Sequence, residues 1–247
     1  MGMFIGQNAA LVQTITQGVK AATGLPLIVK LTPNVTDIGT IAAAAAAGGA
    51  DAIAAINTVA SIPAVDIDAE VPLPNVHGKS TPGGLSGAAI RPIALRCLAD
   101  IGKATQLPLS GIGGIADWHS AVEFLLLGAT TVQLGTAVMF QGFKLIDPLC
   151  KGLSNYMTQK GYDRIEDFCG HAFAHLEAHS DLRTGETLCV RIAASVCTGC
   201  GRCVTACESG GFAALRLVKK KAVADPQRCD GCGLCALACP EKAIRYA

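Results

Sequence analysis

The chain has 247 residues, 51% of them hydrophobic, with 20 Lys and Arg against 19 Asp and Glu; that is apolar material for one large core or two unequal ones. So small a net charge gives no field to gather a nucleic-acid backbone, and three Tyr, seven Phe and one Trp are few faces for stacking on bases, so nucleic acid is excluded as a partner. The most apolar window, residues 41–56, is broken by Gly48, Gly49 and Asp51 and is shorter than the ~20 residues of a membrane span, so no membrane association is expected.

From the start of the chain to residue 157, apolar runs alternate with helical stretches. Strands are predicted at residues 25–33 (LPLIVKLTP), 50–58 (ADAIAAINT), 107–114 (LPLSGIGG) and 131–138 (TVQLGTAV), and helices at 37–47, 88–105, 117–127 and 143–160. Such alternation implies parallel strands with right-handed crossovers. Polar and glycine-rich residues fall at the C-terminal ends of the strands, and the last two units carry the most glycine. Barrels bind phosphate at the loops after strands seven and eight, so the four strands are numbered five to eight of a TIM (β/α)8 barrel. A complete barrel takes about 250 residues, and open edges would expose unpaired backbone. The expectation is a C-terminal half-barrel over residues 1–157, a truncated product beginning at an internal methionine rather than half of a two-chain assembly.

Residues 158–190 read as a linker with a helix. HAFAHLEAH sets His171, His175 and His179 at helical spacing, a solvated stripe in preference to a metal site. Residues 191–247 then carry CTGCGRCVTAC from Cys197 and CDGCGLCALAC from Cys229. Three thiolates spaced two apart wrap one iron–sulfur cube, while the fourth cysteine of each run reaches the other cube. The spacing predicts Cys197, Cys200, Cys203 and Cys239 on one 4Fe-4S cluster, and Cys229, Cys232, Cys235 and Cys207 on a second. Zinc would leave the third and fourth cysteines of each run unexplained. A small α+β ferredoxin domain of bacterial type follows. Between the runs, VKKKAV reads as a short basic hairpin turn, solvated in preference to helping dock an acidic partner. The other four of the twelve cysteines, Cys97, Cys150, Cys169 and Cys189, are expected as reduced thiols. The opening MGMFIGQNAA has neither a charged n-region nor an apolar h-region, which points to the cytoplasm.

Several strand-end residues have chemical uses. Lys30 would aim an ammonium into the barrel mouth to stabilise negative charge, as on a reduced flavin, or would pair with a local carboxylate or reach for water. Asn57 and Thr58 offer an amide and a hydroxyl to the edge of a flat heterocycle, or cap a turn. Gly83, Gly84, Ser86, Gly87, Gly113, Gly114, Gly135 and Thr136 could present backbone N–H groups at helix starts to a phosphate. No GxGxxG fingerprint follows a first strand, so nicotinamide dinucleotide is not expected to bind here by that route.

The stretches KLTPNVTDI, INTV, GGLSGAAIRPIALR, GIGGI and GTAVM, followed by CTGCGRCVTACESGGFAAL, resemble the dihydropyrimidine dehydrogenase family nearly end to end. The barrel motifs are shared with class 1 dihydroorotate dehydrogenases and point to an FMN-binding barrel; the fused ferredoxin domain, with ESGG after Cys207, points to dihydropyrimidines. The resemblance implies FMN over the barrel mouth, hydride passed to C6 of uracil or thymine, an acid protonating C5, and clusters relaying single electrons. It makes Lys30 the flavin-ring contact and Asn57 and Thr58 pyrimidine-binding groups, with Gly87, Gly113, Gly114, Gly135 and Thr136 holding the ribityl phosphate. It also implies a partner subunit carrying FAD and oxidising NAD(P)H, and a possible homo-oligomer. The family's general-acid cysteine lies upstream of the segment resembling MGMFIGQ, and no residue of this chain corresponds to it. The intact gene product is therefore expected to reduce pyrimidines, and this chain alone to bind clusters without turning over. The alternatives are a dihydroorotate-oxidising enzyme and a fragment that only carries electrons.

Overall fold

The computed structural model describes residues 5–177 and 189–246. The chain divides into two units, Met1–Leu176 and Glu177–Ala247, each with its own apolar core.

In the first unit, α1 (Ala9–Ala22) precedes β1 (Ile28–Leu31), α2 (Ile38–Ala47) and β2 (Ala52–Ala55). Four short strands follow, β3 (Val59–Ser61), β4 (Ala64–Asp66), β5 (Val71–Leu73) and β6 (Gly83–Leu85), in two antiparallel pairs, β3 with β6 and β4 with β5. A single 3-10 turn leads into α3 (Arg91–Ala104). The unit continues through β7 (Leu109–Ile112), α4 (Trp118–Leu126), β8 (Ala129–Gln133), α5 (Thr136–Gln141) and α6 (Ile146–Lys160).

Strands β1, β2, β7 and β8 form one parallel sheet in that order. Each pairs with the next long strand along the chain, and right-handed crossovers repeated in one direction put the intervening helices on one face. That is the winding of a barrel; an open doubly wound sheet reverses direction and covers both faces. Val29, Ile53, Leu109 and Ala129 belong with the helices to the apolar core. On the other face, Lys30, Ala54, Ser110 and Thr131 are register neighbours across all four strands. Ser110 Oγ accepts hydrogen bonds from Thr131 Oγ1 and Gln133 Nε2, both at 2.8 Å. This face is open on its outer strands, where Lys30 and Thr131 are exposed and Ile28 is 56% exposed, while Ala54 and Ser110 between them are buried.

The helices form where apolar spacing and caps agree. In α3, Pro92 takes a first-turn position where its missing N–H costs nothing, and Ala94, Leu98 and Ile101 recur at a helical interval and are fully buried. In α4, Asp117 Oδ1 accepts the Ser120 N–H at 2.8 Å while the Ser120 hydroxyl returns to the Asp117 backbone, a capping box.

The second unit is one pattern used twice. β9 (Val190–Ile192), the first cysteine run with α7 (Arg202–Ser209), and β10 (Leu215–Val218) are followed by β11 (Lys221–Ala224), the second run with α8 (Leu234–Leu237), and β12 (Ile244–Tyr246). β9 pairs with β12 and β10 with β11, both antiparallel, so the outer strands close the repeat on itself.

Several expectations are corrected. The last barrel strand lies at Ala129–Gln133, not 131–138, because the chain leaves the sheet at Leu134 and turns into α5 at Gly135. Helix α1 and the strands between Val59 and Leu85 were not foreseen. Helix α6 runs past residue 157 to Lys160. The chain beyond it folds back, burying Phe168 completely against Val122 and Leu125. The histidine stripe is not on an α-helix: α6 ends at Gly161, Gly170 has φ +80°, and Phe173–His175 is a 3-10 turn, with His171 edge-on to Tyr162. His179 lies outside the described residues. No helix among the described residues is long and apolar enough to cross a membrane.

Two stability measurements follow from this packing. Leu98→Ala should lower the urea-unfolding free energy by about 2–5 kcal/mol, as expected for an aliphatic side chain removed from a closed core. Asp117→Ala should cost about 1 kcal/mol at neutral pH. The backbone and side-chain hydrogen bonds from Ser120 hold the Asp117 carboxyl below its ordinary pKa. Its contribution is therefore present above the unfolded-state pKa and lost as pH falls through the lower folded-state value, so the difference between variant and parent should shrink on acidification.

Candidate functional site

At the C-terminal ends of the four parallel strands lies a cavity of about 430 Å³, within the range of small-molecule sites. Lys30, Asn57 and Thr58 line one side of it, and Gly87, Gly113, Gly114, Gly135 and Thr136 line another. With Ser86, which also lines it, nine of the eleven residues singled out in the first unit meet at one place; Gly83 and Gly84 do not line it. A second cavity, of about 510 Å³, shares Lys30, Asn57 and Thr58 and adds Thr32, Asn34 and Gly84.

Lys30 makes no ion pair among the described residues. The local carboxylate partner considered for it is absent there, and its ammonium faces the cavities. The Asn57 backbone N–H donates to the Leu31 carbonyl at 2.9 Å, which ties the ends of β1 and β2 together. Asn34 strengthens this tie. Its Nδ2 donates to the Thr58 carbonyl at 3.0 Å, and its Oδ1 accepts from the Ala60 N–H at 2.8 Å. The backbone around Asn57 and Thr58 is thus held without using the Asn57 amide, which has no hydrogen-bond partner among the described residues and caps no turn.

The glycine loops touch one another. A Cβ at Gly114, whose φ is +78°, would lie 2.8 Å from the Gly87 carbonyl oxygen and the same distance from Arg91 Cβ. Only glycine fits both the left-handed backbone and that approach. Thr136 Oγ1 donates to Ser86 Oγ at 2.8 Å, joining the loop before α3 to the start of α5. Gly83 and Gly84 do not stand at a helix start: they belong to β6, paired with β3. Gln133 and Asn34 were not singled out as site residues. Gln133 was legible as a polar residue two positions from Thr131 on the same strand face, and Asn34 as the amide closing the KLTPN stretch.

In the second unit the cysteines gather in two sets. Cys197, Cys200, Cys203 and Cys239 line one cavity, and Cys207, Cys229, Cys232 and Cys235 line another. The fourth cysteine of each run stands with the first three of the other. The two runs also use glycine alike, with Gly199 and Gly201 at φ +75° and +78°, and Gly231 and Gly233 at +70° and +77°. These left-handed residues bend each loop around its cavity. Backbone N–H groups reach the sulfurs: Ala214 donates to Cys207 Sγ at 3.2 Å and Ala243 to Cys239 Sγ at 3.4 Å. N–H groups of Ala222 and Gly199 hold the Cys197 thiol below its ordinary pKa, with Lys221 adding a smaller pull, whereas burial raises Cys203 and Cys235. Among the described residues no three His, Cys, Asp or Glu side chains converge as they would on a single metal ion. A cube takes one thiolate at each iron, so four sulfurs set around a volume fit it better than they fit zinc.

Comparison with known proteins agrees with both units. The dihydroorotate dehydrogenase family model matches residues 2–157, and that of the 4Fe-4S dicluster domain matches residues 190–246. The NAD-dependent dihydropyrimidine dehydrogenase subunit PreA of Escherichia coli is 41% identical over 223 residues, 89% of this chain and 54% of that protein. The catalytic subunit of dihydroorotate dehydrogenase B (NAD(+)) of Pyrococcus horikoshii is 46% identical over 171 residues, 69% of this chain and 55% of that one. The chloroplastic dihydropyrimidine dehydrogenase (NADP(+)) of Arabidopsis thaliana is 40% identical over 188 residues, 74% of this chain and 44% of that protein. The chain thus spans about half the length of these curated relatives. With one family model over well more than half of its residues and the other over its cysteine-rich remainder, the chain belongs to the dihydroorotate dehydrogenase family and carries a 4Fe-4S dicluster domain behind the family's α/β fold.

Proposed function

We propose that this chain is the flavin-facing and cluster-bearing part of an iron–sulfur flavoprotein that reduces uracil or thymine to the 5,6-dihydropyrimidine. The observation that carries the reading is the meeting of Lys30, Asn57, Thr58 and the glycine loops in one cavity, in a chain that also holds two four-cysteine sets. The four-stranded sheet is read as strands five to eight of a barrel, completed by four strands from outside this sequence. Dihydropyrimidine is favoured over dihydroorotate by the reach of the similarity. The likeness to PreA covers 89% of the chain, more than the first unit contains, and so extends into the cysteine-rich unit.

Bound FMN would supply hydride chemistry and the two clusters one-electron transfer. Lys30 holds a positive charge beside the place where the reduced ring gathers negative charge. Asn57 and Thr58 offer a donor–acceptor edge to the pyrimidine, and the backbone at Gly87, Gly113, Gly114 and Gly135, with the Thr136 hydroxyl, holds the phosphate. Cys197, Cys200, Cys203 and Cys239 bind one cluster, and Cys207, Cys229, Cys232 and Cys235 the other. No residue here takes the general-acid role: Cys97, Cys150 and Cys169 do not line the cavity. With no dinucleotide fingerprint, electrons come from a partner subunit that carries FAD and oxidises NAD(P)H.

Two experiments test this reading. Anaerobically purified chain should contain about eight iron and about eight sulfide per chain. Cys239→Ala should abolish the same electron paramagnetic resonance signal as Cys197→Ala, and Cys207→Ala the signal lost with Cys229→Ala; loss of signals by run rather than across runs would refute the crossed assignment. In protein carrying all eight strands, Asn57→Ala should lower kcat/KM for uracil about tenfold or more, in line with about 1–3 kcal/mol for an unmet polar group. The chain alone should keep its iron and show no pyrimidine-dependent oxidation. In the protein carrying all eight strands, oxidation by orotate but not by uracil or thymine would move the assignment to the runner-up.

A further inference from the structure

The near-zero charge of the whole chain hides an imbalance between its units. Residues 189–246 carry nine Lys and Arg against four Asp and Glu, a net +5, whereas residues 5–177 carry ten against thirteen, a net −3. Five of the nine, Arg202, Arg216, Lys219, Lys220 and Lys221, lie on the hairpin of β10 and β11 and at the start of α7. Strands β10 and β11 are joined through Lys219 and Lys220, which have φ +48° and +58°. A two-residue turn of this kind ordinarily takes Asn-Gly, because both central residues are left-handed. Two lysines accept that conformation here, and both are exposed.

The hairpin is anchored to the loop of the first cysteine run. Lys221 Nζ donates to the Cys197 carbonyl, and the Lys220 carbonyl lies so close to Gly199 that no side chain could stand there. Arg216 on β10 and Arg202 at the start of α7 are exposed as well. Between the charges lie Leu217 and Val218, 46% and 42% exposed, and Leu217 also lines the cavity of Cys197, Cys200, Cys203 and Cys239. Cys200 is exposed, and Glu241 is the acidic residue lining that cavity. An apolar centre ringed by one sign of charge suits a transient redox contact, with opposite charge steering the approach.

We infer that the Lys219–Lys220 hairpin and its apolar flank are the docking surface for an acidic one-electron donor protein, and that electrons enter through the cluster held by Cys197, Cys200, Cys203 and Cys239. In each encounter the donor loses one electron and the oxidised cluster gains one; no bond is made and no proton moves. The inference rests on the second unit acting as an electron relay and is independent of which heterocycle is reduced.

A flavodoxin, an acidic one-electron flavoprotein, is the probe. Its binding to the cluster-loaded chain is measured in the oxidised state by calorimetry at low salt, and its reduced form then serves to time cluster reduction by stopped flow. Lys219→Glu with Lys220→Glu should weaken binding at least tenfold and flatten the salt dependence of the reduction rate. Reduction by a small viologen radical should be unchanged. Arg191→Glu with Arg228→Glu makes the same change in net charge elsewhere on the unit and should alter binding less than about threefold. Iron content checks each variant, and Lys219→Gln with Lys220→Gln, a gentler change, should give an intermediate loss. Equal losses from the two charge reversals would reduce the effect to overall charge and overturn the inference, as would unchanged flavodoxin binding. Retention of DNA or anionic vesicles by the hairpin, with an unaffected donor rate, would overturn it too. None of these outcomes bears on pyrimidine turnover, so the inference and the proposed function fail separately.

Discussion

Parallel pairing of neighbouring strands is the constraint on which the first unit depends. A parallel strand cannot return through a tight turn, so each of β1, β2 and β7 hands the chain to a helix before the next partner is laid down. With every crossover of one hand, the helices share one face and the C-terminal strand ends share one edge. The cavity follows from that edge. Lys30, Asn57, Gly113 and Gln133, far apart in sequence, become neighbours because each sits at or just past the end of a strand. The hydrogen bonds that refine the site run between loops of different strands, such as Asn34 to Thr58 and Thr136 to Ser86.

The second unit solves a different problem. It is too small to bury much apolar surface, and its core contains Cys203, Cys207 and Cys235 among a few aliphatic residues. Below roughly 70–80 residues a single apolar core rarely supplies much stability, and small domains add staples such as metals. In the proposed crossed assignment neither half of the repeat can be loaded alone, so cofactor binding and folding would become one event. The backbone prepares for it: the paired positive-φ glycines bend the loops, and N–H groups already point at Cys207 and Cys239 before any iron is considered.

Periodicity made the sheet legible, because buried parallel strands are short, apolar and closed by Gly or Pro, and all four appeared within a few residues of their observed places. Cysteine spacing made the two sets legible for a chemical reason, since few structures other than paired cubes use four thiols in that rhythm. What failed to read was local. Helix α1 lies ahead of the strand–helix alternation that was read from residue 25 onward, and the strands between Val59 and Leu85 are three residues each, too short for an alternation to register. GTAV looks like a continuing strand, but Gly135 ends the pairing and α5 begins. In the histidine segment, helical spacing was real but Gly170 broke the helix it required.

Charge was the most misleading global quantity. A total of +1 argued against a nucleic-acid backbone, yet fields are felt over only about 8 Å at physiological salt, so the sum says little about the surface of either unit. At that range a partner meets one unit, not the sum. The imbalance also suits the two tasks proposed here. A neutral heterocycle gains little from a long-range field and is selected by hydrogen bonds close at hand, so the cavity needs only Lys30, Asn57 and Thr58 in fixed positions. A protein donor must find a small patch and leave again, and for that a surface field raises the encounter rate without locking the complex. The same chain can therefore be near neutral in sum and unevenly charged by unit, with Lys219 and Lys220 next to the lysine that holds the Cys197 carbonyl.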